Sequence, residues 1–327
     1  MKILKKIVKI FFAAVLTTGF YACADDDETD PVTPAAATGP TQNIAEIAIG
    51  DSRTDSLVVG LSVANLVPTF KGAGTFTVFA PNNQAFVDLL ATNAAWNRIS
   101  DIDVTTLTNV LYYHVLSSKV MASDLTDDTY AVTLNTQGTA SKENTVIELD
   151  VTGGATLNNS ANITAVDIEA TNGVIHIIDE ILLPQNIVEI ALDDERFTSL
   201  VAALSRFGTT YTTTLSGTGP FTVFAPTNDA FQALLDSDST WNSLNDIPTV
   251  TLQAVLEYHV VRGNVRAGSL TQNQVLSTLS NKTLAVDLST GAQLRTENSG
   301  QGNVNIIFTD VQGTNGVIHA VDQVLLP

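Results

Sequence analysis

The chain has 327 residues, of which 44% are hydrophobic and 15% charged, a composition typical of folded globular domains and not of disordered chains. Its formal net charge of −19 would repel phosphate backbones, which argues against nucleic acid as a partner. The single cysteine, Cys23, excludes an intrachain disulfide and a cysteine-based zinc site. The length is sufficient for two domains of ordinary size.

Residues 1–22 have the pattern of a secretory signal peptide. A lysine-rich start, MKILKKIVK, precedes an apolar run from Ile10 to Leu16 that is too short for a stable membrane span. The small residue Ala22 precedes Cys23, as in bacterial lipoprotein signals, in which the cysteine becomes the lipidated first residue. Phe20 departs from this pattern, since leucine is usual there. We predict lipidation of Cys23; the alternative is an ordinary signal peptide that leaves a free thiol.

Residues 23–42 are predicted to form a flexible acidic tether. The segment is rich in acids, proline, threonine and alanine and has no apolar periodicity. The acidic run from Asp25 to Glu28 resembles the export signal of some Gram-negative lipoproteins. It predicts an outer membrane lipoprotein that is exposed at the cell surface, and the alternative is a solvated spacer.

An internal repeat determines the domain organisation. The segment FTVFAPNNQAF, which starts at Phe76, returns as FTVFAPTNDAF at Phe221 with nine of eleven residues identical. The segment TNGVIHIIDEILLP, which ends at Pro184, returns as TNGVIHAVDQVLLP, which ends at Pro327. We therefore predict two copies of one domain, at 43–184 and 186–327. Only Gln185 separates them, so we expect the copies to touch and to hold a restricted orientation.

The elements of one copy predict an α+β fold. Residues 43–61 place apolar side chains on roughly one helical face, with a break near Gly50. Phe76 begins a short strand that ends at Pro81, and Asn82 or Asn83 can then cap a helix. Residues 105–114 predict another helix, and residues 131–183 alternate in short β runs separated by turns. Helices packed on a mainly antiparallel sheet or sandwich fit this order.

The order of three motifs in both copies resembles the fasciclin (FAS1) domain family. These motifs are FTVFAP followed by N-x-AF, then Tyr-His, then NGVIH-x-x-D with a terminal proline. The resemblance covers nearly all of 43–327, twice. It implies a β-sandwich or wedge with helices packed on one side in each copy. It also implies a role in cell adhesion and matrix or surface interaction, without enzymatic activity.

Each copy has two histidines in apolar surroundings. Helical spacing puts one of them beside leucines, and strand alternation puts the other among β-branched residues. We predict a buried, hydrogen-bonded structural role for His114, His176, His259 and His319. Metal binding is the alternative, but two histidines do not complete a zinc site, and we predict no metal and no cofactor. Gly173 and Gly316, in the Asn-Gly pairs that precede the strand histidines, are predicted to supply positive φ for a tight turn into the strand.

The resemblance also gives candidate binding residues. In animal fasciclin proteins an Asp-Ile pair ahead of the third motif, and the Tyr-His pair, are implicated in adhesion. The matching positions here are Asp167, Ile168, Tyr113 and His114 in the first copy and Asp310, Tyr258 and His259 in the second. Val311 replaces isoleucine in the second copy, which puts its pair in doubt. A purely structural role is the alternative for all of them.

No catalytic pattern is found in the sequence. It has no G-x-S-x-G elbow and no phosphate-binding loop, and Cys23 lies outside both copies. We therefore predict a non-enzymatic cell-surface adhesion or binding lipoprotein whose partner is a protein or a glycan. The alternative is an envelope carrier or sensor for a glycan, a lipid or a metal, which a deep apolar pocket would favour.

Overall fold

The structure is a computed structural model, and it describes residues 39–127, 129–136, 142–151 and 154–327. The predicted signal peptide, the lipidation site Cys23 and most of the predicted tether lie outside the described residues. Gly39–Pro327 form one compact unit that contains both copies of the repeat. A search of the described residues finds no helix with the length and apolar character needed to cross a membrane.

The first copy contains helices and strands in a mixed order. Its α-helices are α1 (Ile44–Gly50), α2 (Asp55–Val63), α3 (Val67–Lys71), α4 (Asn83–Ala91) and α5 (Val104–Tyr113). Its strands are β1 (Phe76–Pro81), β2 (Val115–Leu116), β3 (Thr129–Val132), β4 (Val146–Asp150), β5 (Thr156–Leu157), β6 (Ala161–Ala170) and β7 (Gly173–Ile178). The predicted α+β fold is confirmed.

The second copy repeats this order. Its α-helices are α6 (Ile187–Asp193), α7 (Thr198–Ser205), α8 (Thr210–Leu215), α9 (Asn228–Asp236) and α10 (Thr249–Tyr258). Its strands are β8 (Phe221–Pro226), β9 (Val260–Arg262), β10 (Val275–Ser277), β11 (Thr283–Asp287), β12 (Gln293–Arg295), β13 (Val304–Gly313) and β14 (Gly316–Val321).

Each copy builds one seven-stranded sheet with the same topology. The strand order is β2-β1-β7-β6-β5-β4-β3 in the first copy and β9-β8-β14-β13-β12-β11-β10 in the second. The pairs β1–β7 and β8–β14 are parallel, and the other pairs are antiparallel. The two motifs that recur most faithfully, FTVFAP and NGVIH, therefore lie side by side as the second and third strands from one edge of each sheet.

In the first copy, β1 and β7 separate two apolar cores. On one side, Val78 and Ile175 pack with helices α1 to α3. On the other side, Phe79 packs with Ile147 and Leu157 of β4 and β5 in the same sheet. Bulges in β6 allow the sheet to fold over in this way, since its register to β7 shifts twice. The result is the predicted wedge with helices on one side.

Local chemistry explains where the helices start and stop. The Asn43 side chain accepts a hydrogen bond from the N–H of Glu46, and the Glu46 carboxylate accepts one from the N–H of Asn43, so α1 begins with a capping box. Helix α1 ends at Gly50, as the sequence predicts. Asn82 caps α4 as predicted, while the amide oxygen of Asn83 accepts the N–H of Ser56 at the start of α2.

The two copies are in contact, as the short connection predicts. Tyr130 of β3 donates its hydroxyl hydrogen to Asp194 Oδ2 of the second copy at 2.7 Å. The guanidinium of Arg196 is paired with Asp194 at 2.6 Å and lies 5.5 Å from the Tyr130 ring and 4.9 Å from the Phe308 ring. We call Tyr130, Asp194, Arg196 and Phe308 the joint cluster.

A second contact extends the joint. Arg266 of the second copy approaches Glu143 of the first at 3.4 Å and Asp310 of its own copy at 3.2 Å. Val146 of β4 belongs to the apolar core of the second copy. The joint thus combines apolar, aromatic and charged contacts, so the two copies are held in one orientation.

Candidate functional site

His114 connects helix α5 to the end of the first copy. Its Nδ1 is 2.7 Å from the carbonyl oxygen of Val110, and its Nε2 accepts the N–H of Leu182 at 2.9 Å. Since Nε2 is an acceptor, the ring hydrogen is on Nδ1 and is donated to Val110. Burial lowers the pKa of His114 to about 4. The imidazole is therefore neutral and has no free nitrogen.

His259 makes the same contacts in the second copy. Its Nδ1 is 2.7 Å from the Val255 carbonyl oxygen, and its Nε2 accepts the N–H of Leu325 at 2.8 Å. Burial again lowers the pKa to about 4. Each copy is therefore closed by one histidine that joins a helix to the segment before the terminal proline.

The other two histidines, His176 and His319, lie in β7 and β14. His176 stacks on Phe79 with ring centroids 5.6 Å apart, and its Nε2 donates to the carbonyl oxygen of Val120 at 2.9 Å. Its Nδ1 accepts the N–H of Asp167 at 3.3 Å. His319 repeats all three contacts, and burial lowers its pKa. The structural role of the four histidines stays a prediction that these contacts support.

The candidate aspartates are also used inside their copies. Asp167 and Asp310 lie at the bulges of β6 and β13 with φ of 57° and 65°. The Asp167 carboxylate accepts the N–H of Ala122 at 2.8 Å, and the Asp310 carboxylate accepts the N–H of Ala267 at the same distance. Each aspartate therefore fixes the short 3-10 turn that covers the bulge.

The other candidate binding residues are covered. Tyr113 and Tyr258 are fully buried, and their hydroxyls donate to the carbonyl oxygens of Val146 and Thr283 at 2.7 and 2.6 Å. Ile168 packs against the helical core. The Tyr-His side chains therefore present no surface to a partner while the copy is folded.

The described residues contain no group of three or more histidine, cysteine, aspartate or glutamate side chains that could hold a metal ion. The prediction of no metal and no cofactor stays a prediction.

The reason for the glycines differs from the sequence-based expectation. Gly173 has a φ of 153°, as predicted, but Gly316 has no positive φ in the left-handed range. Both are instead required by close approach of the parallel neighbour. A Cβ would lie 2.0 Å from the carbonyl oxygen of Phe76 at Gly173 and 2.2 Å from that of Phe221 at Gly316.

The asparagines before these glycines are functional parts of the fold that the sequence reasoning missed. Asn172 accepts the N–H of Ile44 at 2.9 Å and donates to the carbonyl oxygens of Phe70 and Gly72. One buried amide therefore joins helix α1, the end of α3 and the start of β7. Asn315 does the same in the second copy. The recurring Asn-Gly pair is the signal in the sequence, but a tight turn alone accounts for it equally well.

Replacing Asn172 or Asn315 by alanine is expected to lower the free energy of unfolding by about 3 kcal/mol. Each change leaves one N–H and two carbonyl groups of the backbone without their partner. Urea denaturation of the two variants measures the loss. Asn97→Ala, at an exposed position, is the control and should change stability by less than about 0.5 kcal/mol. Equal stability of all three variants would contradict this role.

The buried histidines predict that stability falls in mild acid. The unfolded chain binds protons at the ordinary histidine pKa of 6.5, whereas folded His114 and His259 bind them only near a pKa of about 4. Stability is therefore complete above pH 6.5 and is lost as the pH falls towards 4. Between about pH 7 and about pH 5 we expect a loss of about 2 kcal/mol per histidine.

Urea denaturation at several pH values tests this dependence. His259→Phe removes one titrating ring, so the variant should be less stable at neutral pH but should lose less stability on acidification. A variant with the full acid dependence of the original chain would show that His259 is not responsible.

Comparison with known proteins shows the family of the chain. The family model of the Fasciclin domain matches residues 52–184 and 195–327. The chain belongs to the fasciclin family, as a tandem pair of its domains. The predicted boundaries 43–184 and 186–327 stay predictions, since the matches begin later in each copy.

The relatives include animal and bacterial proteins. Transforming growth factor-beta-induced protein ig-h3 of Sus scrofa is 31% identical over 292 residues, covering 88% of this chain and 40% of that protein. An uncharacterized Synechocystis protein is 36% identical over 141 residues, covering 43% of this chain and 97% of the relative. The chain thus spans about 40% of the length of ig-h3. A solved FAS1 domain pair from the insect cell adhesion molecule Fasciclin I covers 86% of this chain and 96% of its own, with a TM-score of 0.49 and 20% identity.

Proposed function

We propose that the chain is a surface-tethered adhesion or binding protein with two fasciclin domains and no catalytic activity. One observation carries the proposal. The motif residues that the two copies share are occupied by internal contacts, including all four histidines. Binding of a partner therefore requires exposed residues, and the two copies differ in these. Surface interaction is also what the fasciclin resemblance implies.

The joint cluster supports binding by the pair as one unit. Two modules held in a fixed orientation can engage one target together without paying for the ordering of a linker. The net charge of −19 favours partners that are neutral or cationic. The proposed partner is a surface or matrix protein or a glycan.

A carrier of lipids is not favoured by the cavities beneath the N-terminal helices. The cavity of the first copy measures about 20 Å³ and that of the second about 60 Å³. Sites for small molecules usually enclose about 300–1,000 Å³. The alternative role as an envelope carrier would therefore need a different site, such as one for a glycan.

Attachment of cells tests the adhesion function. Bacteria that display the protein and bacteria that lack it are applied to immobilised matrix proteins, glycans and host or bacterial cells, with and without calcium. We expect the displaying cells to attach to at least one of these surfaces in excess. Equal attachment to every surface would contradict the adhesion proposal.

The lipid anchor is tested separately. The proposal places the lipid on Cys23 and the protein on the outer face of the outer membrane. Metabolic labelling with a fatty acid should mark the original chain and leave Cys23→Ser unlabelled, and protease added to intact cells should digest the labelled protein. Labelling of Cys23→Ser would contradict the anchor, and protection from protease would contradict surface display.

A further inference from the structure

We propose that a groove on the second copy, between α8, α10 and β9, binds a neutral glycan. This inference rests on the proposed binding function and names the class of its ligand. The groove encloses about 340 Å³, within the range of about 300–1,000 Å³ that small-ligand sites occupy. The residues that carry the argument are Tyr211, Gln253, Glu257 and Arg262, which we call the groove cluster.

Glu257 lines one wall of the groove, and only one of its two carboxylate oxygens accepts a hydrogen bond within the described part of the chain. Tyr211 donates its hydroxyl hydrogen to Glu257 Oε1 at 2.8 Å, and Gln253 donates to the same oxygen at 3.0 Å. The Tyr211 ring packs edge-on against Phe207 with centroids 5.2 Å apart. Oε2 of Glu257 receives no hydrogen bond from any residue that the structure describes. A fixed acceptor therefore faces the groove.

The opposite charge comes from Arg262 at the end of β9. The side chain is exposed, and its guanidinium makes no ion pair or hydrogen bond with the part of the chain that the structure describes. The other arginines are engaged: Arg53, Arg98, Arg196, Arg206, Arg266 and Arg295 each bond to an acidic side chain, an amide or a carbonyl oxygen. Arg262 therefore offers its donors to a ligand.

The groove combines these groups with an apolar floor. Leu215, Leu256 and Val260 are buried beneath it, and Thr210 and Thr214 also line it. Glu257 and Arg262 line the same groove without forming an ion pair with each other. A sugar ring fits this chemistry, because its hydroxyls both donate and accept hydrogen bonds while its C–H face is apolar.

The charges at the groove favour a neutral glycan over an acidic or an amine-bearing one. An acidic sugar would meet the carboxylate of Glu257 and the net charge of −19 of the whole chain. An amine-bearing ligand would meet the guanidinium of Arg262. A neutral oligosaccharide avoids both repulsions and can hydrogen-bond to both groups.

The first copy lacks this chemistry at the equivalent position. Asn172 and Asn315 bind the carbonyl oxygens of Phe70 and Leu215, which shows that these two residues correspond. Counting from these pairs, Leu66 replaces Tyr211, Tyr112 replaces Glu257 and Ser117 replaces Arg262. The groove cluster therefore belongs to the second copy alone, and the first copy supplies the substitutions for a test.

The test uses the protein of residues 24–327 on an array of neutral, sialylated and sulfated oligosaccharides, followed by calorimetric titration of the strongest neutral binder. Arg262→Ser and Tyr211→Leu insert the residues of the first copy, and Glu257→Gln removes the charge at nearly constant shape. We expect each to weaken binding at least about tenfold. Arg98→Ser, an exposed arginine of the first copy, should bind as the original chain does. Unfolding midpoints verify that the variants are folded.

Each outcome supports the proposal or overturns it. Tight binding of a neutral oligosaccharide that the three groove variants lose would support it. Binding that survives all three changes would overturn the groove and leave the adhesion function intact. Binding only of charged oligosaccharides, or of none, would overturn the ligand class. A groove-dependent contact with a protein in the attachment experiment would likewise overturn the glycan but not adhesion. Equal attachment of displaying and lacking cells would remove the proposed function itself.

Discussion

Gly316→Ala is expected to lower the free energy of unfolding by about 4 kcal/mol or more, enough to unfold much of the second copy at room temperature. The added Cβ would lie 2.2 Å from the carbonyl oxygen of Phe221 in the parallel neighbour. Backbone atoms cannot turn aside as a flexible side chain does. The parallel strands β8 and β14, both of which are buried along their whole length, would have to separate at this pair.

Comparison of Gly173→Ala with Gly316→Ala separates the stability lost to the steric clash from the stability lost to backbone strain. Its Cβ would lie 2.0 Å from the carbonyl oxygen of Phe76, and its φ of 153° adds strain that Gly316 does not have. We expect a loss at least as large as for Gly316→Ala. Gly268→Ala is the control, because no atom lies within 4 Å of the Cβ there. Thermal and urea denaturation measure all three, and a mild loss at Gly316 would contradict the close-approach argument.

Arg196→Ala is expected to cost about 3 kcal/mol and to release the fixed orientation of the two copies. The change leaves the Asp194 carboxylate, 1% exposed, without its positive partner, and it removes the cation from the Tyr130 and Phe308 rings. Breaking a buried ion pair in this way costs more than the pair contributes when intact, because one buried charge remains. Urea denaturation measures the cost, and small-angle X-ray scattering measures the orientation.

The chain contains a matched control for this change. Arg53 and Asp51 form the same pair at 2.6 Å in the first copy, but the Arg53 side chain is 52% exposed and the Asp51 side chain 20% exposed. Arg53→Ala should therefore cost less than about 1 kcal/mol and leave the scattering profile unchanged. Tyr130→Phe removes only the hydrogen bond from Tyr130 to Asp194, and its loss of stability should fall between those of the two arginine variants. Equal losses for Arg53→Ala and Arg196→Ala would contradict the role of the joint cluster.

Much of the fold follows from short-range patterns in the sequence. The spacing of Leu107, Leu111 and His114 places the histidine on the buried side of the helix. The alternation around His176 places it on the face of β7 opposite Ile175, where it stacks on Phe79. The cap at Asn82 and the break at Gly50 are local as well, because each depends on backbone geometry within a few residues. Because the second copy repeats these patterns, the same elements are predicted there.

The parts that were missed depend on contacts between distant residues. Asn172 reaches Ile44 across 128 positions, and Tyr130 reaches Asp194 across 64. Neither distance leaves a periodic signal. The groove cluster joins residues of α8, α10 and β9 that no motif links, and its components differ from those in the first copy. A comparison of the two copies position by position would have identified Tyr211, Glu257 and Arg262 as unmatched, but not as neighbours.

The two copies meet through different surfaces, which has a geometric consequence. One copy offers its β3 edge and the next offers the surface around Asp194, so the contact is heterologous and could in principle continue as an open row of domains. The equivalent positions on the far side of each copy carry no aromatic ring. Val275 occupies the place of Tyr130, since Thr278 and Thr133 make equivalent bridges, and Ala165 occupies the place of Phe308. Among the described residues, the full joint cluster therefore occurs once, between these two copies.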